Sequence, residues 1–174
     1  MNIELFVFLA VSLFMIHEFE ELIFVRIWIK NNADKPKLAK DMWLKNAKAY
    51  PSTATIALMI GEEFLLVVIL SLLAFLFHFQ ELAAGIFIAH TLHLAGHIAN
   101  AIRVKRWSPG SITATATCPV CTAVIVYYII NNQLFGMNLL IGLLIAGIVL
   151  LANLALLHKL APKVNDFILT FYRK

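Results

Sequence analysis

The sequence contains few charged residues, few cysteines and few helix breakers, and these shortages exclude several classes of protein. Only 14% of the 174 residues are charged and 61% are hydrophobic, with five prolines, seven glycines and two cysteines. Soluble domains usually have about 25% charged and about 45–50% apolar residues, so we predict a membrane protein with one compact domain, residues 1–174. Two cysteines exclude a disulfide framework. Basic residues are not interleaved with aromatic ones, which predicts no nucleic-acid partner.

Five long apolar runs predict an all-α fold, a polytopic membrane bundle of five transmembrane helices. Each run exceeds the roughly 20 residues that a helix needs to cross about 30 Å of hydrocarbon. Residues typical of turns separate the runs. The predicted helices are approximately residues 3–29, 53–79, 81–102, 112–131 and 134–158.

Lysine and arginine residues are concentrated in three segments outside these runs. They lie between the first and second runs, between the third and fourth, and after the fifth. Five crossings place all three segments on one side, which the positive-inside rule makes cytoplasmic. We therefore predict an outer N-terminus, an inner C-terminus, contacts between anionic lipid and the basic loops, and a bacterial inner-membrane location. Residues 31–49 are predicted to be either an amphipathic helix on the inner leaflet or a solvated loop.

Ionisable side chains interrupt three of the predicted spans. In the first span, His17, Glu20 and Glu21 are spaced to share one helix face. Glu18 points elsewhere. The second span has a pair of adjacent glutamates, and the third has three histidines at i, i+3 and i+7: Glu62, Glu63, His90, His93 and His97. At 1.5 Å per residue, these groups lie roughly 9 to 19 Å from the cytoplasmic ends of their helices, so they are predicted to form one layer.

This polar layer has the composition of a metal site. A charged side chain at the bilayer centre costs about 2.5–3.5 kcal/mol on the mildest scales, so these groups must face the bundle interior and satisfy one another. Imidazoles and carboxylates suit a divalent cation, and the pattern resembles the Glu-x-x-His arrangement of di-metal bundles in reverse order. We predict one or two ions, zinc first, with iron or manganese as alternatives. The predicted ligands are His17, Glu21, Glu62, His90, His93 and His97. The predicted catalytic residues are Glu20 and Glu63.

Two alternatives remain open at this point. The polar layer can be a hydrogen-bonded patch that fixes helix packing without a metal. Cys118 and Cys121 form a CxxC pair in the fourth span, which is either a soft metal or dithiol site or two small buried apolar residues. Spacing alone does not decide either question.

Two blocks of the sequence resemble a known family. The stretch "HEFEE", with His17, Glu20 and Glu21, matches the HXXEE signature of a family of small integral membrane proteins. The stretch "RWSPGSITA", residues 106–114, is similar to a second block of that family, with Trp107 in place of a tyrosine. A histidine-bearing helix precedes that block, as it does here. The resemblance covers roughly the first four spans and implies a compact membrane bundle with a metal site at His17, Glu20 and Glu21.

These features predict a membrane-embedded, metal-dependent hydrolase that acts on a lipid, an isoprenoid or another hydrophobic substrate. The metal would activate water, and a glutamate that is not a ligand would act as general base. The stretch "EELIFVR" resembles the Glu-Glu-x-x-x-Arg motif of glutamate-type CAAX-processing membrane proteases, although the arginine is one residue too far. The alternatives are a proton or divalent-metal transporter and a non-catalytic membrane protein with a structural polar cluster. A di-metal oxidase is less favoured.

Overall fold

The computed structural model describes residues 1–45 and 47–171. Within these residues the fold has five α-helices and two short 3-10 turns, and no β-strand. The prediction of an all-α fold with five helices is therefore confirmed. The helices are α1 (Ile3–Asn32), α2 (Thr53–Leu76), α3 (Gln80–Val104), α4 (Ser111–Asn131) and α5 (Met137–Phe171).

In the described part of the chain, four helices, α2 to α5, are long and apolar enough to cross a membrane, which indicates a membrane protein. The helix α1 differs because its central motif is charged. Residues 17, 18, 20 and 21 of that motif are buried, whereas Phe8, Phe19 and Ile27 are exposed. This helix is thus apolar on its outer surface and polar where it meets other helices, as expected for ionisable groups within a bundle.

The helix α5 is longer than the sequence predicted. It continues from residue 158, its predicted end, to Phe171, and includes Pro162. The side chain of Asn165 explains why the extension is held in place. Its Oδ1 accepts hydrogen bonds from the backbone N–H of Ser52 at 2.8 Å and from the hydroxyl of Thr55 at 3.1 Å. The extension therefore fixes the start of α2.

The helix α3 is central and contacts each of the other four helices. It approaches α5 closely because both helices have a glycine at the crossing: a Cβ added at Gly85 would lie 2.5 Å from the carbonyl oxygen of Gly142. On its other side, the Phe6 ring stacks on Tyr128 at 3.8 Å between centroids and meets Phe87 edge-on at 5.2 Å. These contacts hold α1, α3 and α4 together around the polar layer.

The segment between α1 and α2 is neither the amphipathic helix nor the solvated loop that the sequence predicted. It has two 3-10 turns, Pro36–Leu38 and Ala47–Ala49. Its lysines are exposed, but Leu38, Trp43 and Leu44 are buried against α1. The segment is therefore a packed loop that covers one end of the bundle.

Candidate metal centre

Four ionisable side chains from α1 and α3 converge at one point inside the bundle. They are His17 and Glu21, one turn apart on α1, and His93 and His97, one turn apart on α3. Each of the four side chains offers one potential ligand atom, and these four atoms all lie within 4.8 Å of one another. The Oε1 atom of Glu21 lies 2.9 Å from Nε2 of His97 and 3.3 Å from Nε2 of His17. Its distance to Nε2 of His93 is 3.7 Å.

This group of four is open on one side only. The side chains of His17 and His97 are 0% and 1% exposed, and that of Glu21 is 11% exposed. The side chain of His93, by contrast, is 37% exposed. Any small molecule that reaches the group must therefore approach past His93.

Thr113, near the start of α4, determines which nitrogen of His17 carries the proton. Glu20 accepts hydrogen bonds from the backbone N–H of Thr113 at 2.7 Å and from its hydroxyl at 2.6 Å. The hydroxyl has a single hydrogen, so its oxygen must accept from Nδ1–H of His17, 3.0 Å away. We assign the proton of neutral His17 to Nδ1 from this network, and Nε2 then directs a lone pair at Glu21.

The carbonyl oxygen of Pro109 determines the tautomer of His97 in the same way. A carbonyl only accepts, so Nδ1 of His97 donates to it at 3.3 Å and Nε2 faces Glu21. The indole N–H of Trp43 donates to the same oxygen at 3.1 Å. The next residue, Gly110, has a φ of +84°, and a Cβ there would lie 2.5 Å from Nδ1 of His97. Only glycine permits this close approach of the α3–α4 loop.

The converging atoms fit a divalent cation. The lone pairs on Nε2 of His17 and His97 face a carboxylate oxygen, an arrangement that is repulsive without a cation or an added proton. The Nε2 atom of His97 also lies 3.1 Å from Nε2 of His93. Neither Nε2 of His17 nor Oε1 of Glu21 has a hydrogen-bond partner among the described residues. A tetrahedral zinc ion at about 2.0–2.1 Å from each ligand would separate its ligand atoms by about 3.3 Å, close to the spacing observed. Sets of imidazoles with a carboxylate also suit iron or manganese.

The other residues predicted from the sequence lie outside the group of four. Glu62 is exposed and accepts a hydrogen bond from Asn153 of α5 at 2.9 Å. The ring of His90 lies 5.9 Å from that of His17, and its nitrogens have no partner among the described residues. Glu20 binds the start of α4. The structure thus brings together four of the six predicted ligands, without Glu62 and His90.

Two cavities meet beside His93. The first, the apolar cavity, has a volume of about 330 Å³ and lies between α1, α2, α3 and α5. The second, the loop-side cavity, has a volume of about 530 Å³ and extends to the loop that contains Trp43 and Tyr50. Glu18, Glu63, His93 and Leu154 line both cavities. The predicted base Glu63 therefore lies beside the exposed member of the group.

Glu18 belongs to this site although no role was predicted for it. The sequence indicated that it points away from the face shared by His17 and Glu21, and that direction leads to the junction of the cavities. It is 5% exposed, and neither it nor Glu63 has a hydrogen-bond partner among the described residues. Nearby, burial and the Glu21 carboxylate raise the pKa of the Tyr50 hydroxyl, which therefore stays protonated.

Asn100 is a second residue that sequence reasoning missed. Its side-chain amide donates to Asp41 at 3.1 Å and to the Ser108 hydroxyl at 3.0 Å, and its carbonyl oxygen accepts from the backbone N–H of Met42 at 3.1 Å. Asn100 thus joins the loop that carries Trp43 to the segment that carries Pro109. A lone asparagine near a helix end had no sequence signal to distinguish it.

The two cysteines lie apart from the group of four. Both are free, and Cys121 is fully buried in the apolar core. Neither belongs to the cluster of ligand atoms found in the described part of the chain.

The fold and the site together define a class of protein: a membrane-type helical bundle with three histidines and a carboxylate at its centre. The chain belongs to the HXXEE family: the sequence model described as "Protein of unknown function with HXXEE motif" matches residues 8–124. That range contains the four converging side chains, the two cavity carboxylates and the Pro109–Gly110 segment, and it leaves α5 outside. No curated protein and no solved structure matches the chain.

Proposed function

We propose that this protein is a membrane-embedded, metal-dependent hydrolase that acts on a lipid, an isoprenoid or another hydrophobic substrate. The observation that carries the proposal is the convergence of the Nε2 atoms of His17 and His97 on Oε1 of Glu21, with both Nδ1–H groups already bonded elsewhere. Zinc is the proposed ion. Substrate access from the bilayer is supported by the apolar cavity.

We also propose that α1 crosses the membrane, which gives five spans with the N-terminus outside and the C-terminus in the cytoplasm. The 30 residues of α1 are about 45 Å long at 1.5 Å per residue. The exposed lysines of the α1–α2 loop support its placement at the cytoplasmic surface, where anionic lipid would attract them. The expected location is the inner membrane of a bacterium.

Each residue of the site has a distinct role in this proposal. His17, Glu21 and His97 would hold the ion from the closed side. His93 would be the fourth ligand, beside a fifth position on the cavity side that would take the water molecule. A bound zinc ion acts as a Lewis acid and lowers the pKa of water to about 7. The Nδ1–H bonds of His17 and His97 keep both rings in the ligand tautomer, the usual function of such outer partners.

Glu63 is the proposed general base. It lines both cavities next to His93, where a water molecule and a substrate carbonyl would meet. Its carboxylate has no hydrogen-bond partner among the described residues, so it is free to accept a proton from water. Glu18 lies at the same junction and can share that proton. Glu20 is a weaker candidate for the base because Thr113 occupies its carboxylate.

Elemental analysis of the purified protein tests the proposal. We expect about one equivalent of zinc, iron or manganese in the wild type and its loss in His97→Ala. The matched control is His78→Asn, because His78 is exposed, lies in the turn between α2 and α3 and has a left-handed φ of 51° that asparagine tolerates. Circular dichroism and size-exclusion chromatography check that each variant folds.

The metal result is then paired with an activity result. Release of a carboxylic acid from long-chain esters by the wild type and not by His97→Ala would support the hydrolase. A wild type without metal, or full metal retention in folded His97→Ala, would contradict the site. Metal- or proton-dependent flux through liposomes without hydrolysis would favour the transporter alternative.

A further inference from the structure

The apolar cavity has the shape of a site for one hydrocarbon chain. Along α1 it extends from Ala10 to Glu18, a distance of about 12 Å at 1.5 Å per residue. Its volume of about 330 Å³ is at the lower end of the range for ligand sites. Its walls are aliphatic and aromatic side chains: Phe14, Val67, Ile86, Phe87, Leu150 and Leu151.

Among the described residues, three polar side chains line this cavity without a hydrogen-bond partner: Glu18 and Glu63 at the junction, and His90. His90 is 8% exposed, and both its ring nitrogens are buried without a hydrogen bond among the described residues. A buried polar group without a partner costs about 1–3 kcal/mol. The ring lines the cavity, and its centroid lies 6.5 Å from that of His93 at the junction, so a polar atom of a bound molecule beside it would satisfy it.

The loop-side cavity is lined by acidic side chains, which disfavour an anionic head group. Glu18, Glu21 and Glu63 line it, together with the aromatic rings of Trp43 and Tyr50. No lysine or arginine among the described residues lines either cavity. With Glu21 bound to the proposed ion, Glu18 and Glu63 remain as the carboxylates that a phosphate or carboxylate head would meet, with no fixed cationic side chain to bind it.

We propose that the substrate is a single-chain lipid with an uncharged polar head, its tail in the apolar cavity and its head in the loop-side cavity. This inference rests on the proposed hydrolase function, for which it names the substrate class. The bond to be cleaved lies at the junction, between His90 on the tail side and His93 and Glu63 on the other side. The reaction adds water across an acyl bond, so the products are a fatty acid and a neutral alcohol or amine.

Thermal unfolding with two non-hydrolysable ligands tests this inference without requiring activity. The ligands are dodecyl glycerol ether, which is neutral, and dodecylphosphonate, which is anionic, at equal mole fraction in the same micelles. A ligand that binds only the folded protein raises the melting temperature. We expect a rise with the glycerol ether and a smaller rise, or none, with the phosphonate.

A cavity-filling variant separates binding in the cavity from general effects of the amphiphile. Gly147 lines the apolar cavity, and a Cβ added there meets no atom within 4 Å. Gly147→Leu should therefore fold and lose the rise caused by the glycerol ether. Gly96→Leu is the matched control, because its Cβ also meets nothing within 4 Å and it does not line either cavity. If Gly147→Leu does not fold, Leu154→Trp narrows the junction instead.

Two results would overturn the inference. An equal or larger rise with the phosphonate would contradict the uncharged head. Equal rises for the wild type and folded Gly147→Leu would contradict occupation of the apolar cavity. A phosphonate can also bind zinc directly, so both ligands are compared on protein treated with a chelator, and that comparison decides the head group. A failure there is distinct from a failure of the hydrolase proposal, which elemental analysis and ester cleavage decide.

Discussion

Thr113 contacts His17 through its hydroxyl, 3.0 Å from the ring nitrogen Nδ1, although the two residues lie on different helices. The same hydroxyl donates to Glu20 at 2.6 Å. The HXXEE motif on α1 and the "RWSPGSITA" block at the start of α4 therefore meet in one hydrogen-bonded chain. Within the motif, His17 and Glu21 face the proposed ion, and Glu20 acts on His17 through Thr113.

Thr113→Val should weaken metal binding, because the valine cannot accept the Nδ1–H bond that orients His17. Loss of such an outer partner typically lowers metal affinity by about 10–100-fold. The affinity can be measured by competition with a chelator. Thr117→Val is the matched control on the same helix, since its hydroxyl donates only to the backbone of Thr113 at 2.7 Å. Thr113→Ser should retain binding, and equal affinities for Thr113→Val and Thr117→Val would contradict the role of Thr113.

Gly110→Ala should lower both stability and metal content. The alanine would adopt a φ of +84° and would place its Cβ 2.5 Å from Nδ1 of His97. The conformation alone costs about 1–2 kcal/mol. Gly136→Ala isolates that cost, because Gly136 has a φ of +83° and open space at its Cβ. Melting temperatures and metal content of the two variants should differ, with metal lost only from Gly110→Ala. Full metal content in Gly110→Ala would be inconsistent with this geometry.

Asp41→Ala should destabilise the fold by about 1–3 kcal/mol, because it leaves one N–H of the buried Asn100 amide and the backbone N–H of Trp43 without an acceptor. Asp34→Ala, at an exposed position of the same loop, should have little effect. Equilibrium unfolding in mixed micelles measures both free energies. If the two variants are equally stable, the loop is not held by Asp41 as the structure indicates.

Glu63→Gln should reduce turnover by about 100- to 10,000-fold, the usual contribution of a general base, with the metal retained. Its neighbour Glu62 offers a matched comparison, since its carboxylate is exposed and bonded to Asn153. Glu62→Gln should change neither metal content nor turnover. Turnover is measured as steady-state rates with a long-chain ester, and metal content by elemental analysis, for both variants. If Glu62→Gln lowers turnover and Glu63→Gln does not, Glu62 is the general base.

Much of this arrangement followed from helical periodicity. The spacing of His17 and Glu21 and that of His93 and His97 placed each pair on one face, because residues four apart lie one turn above each other. The spacing could not choose between Glu62 and Glu63, which point about 100° apart. That choice depends on how α2 is rotated about its axis, which is set by packing against α1, α3 and α5.

The residues that the sequence did not reveal act through tertiary contacts. Glu20 resembled a free base because its partner, Thr113, is 93 residues away. Asn165 holds the start of α2 from the extension of α5, a contact across 113 residues to Ser52. Local patterns cannot report such pairs, since nothing near either residue distinguishes it from an ordinary polar group.

X-ray absorption spectroscopy at the metal edge of the purified protein reports directly on whether His17, His93, His97 and Glu21 bind the proposed ion. We expect three imidazole nitrogens, one carboxylate oxygen and a water oxygen, with the protein ligands at about 2.0–2.1 Å if the ion is zinc. In His97→Ala we expect no metal edge above background. A sulfur shell at about 2.3 Å, which Cys118 and Cys121 would supply, would contradict this set of ligands. So would a metal surrounded by oxygen alone.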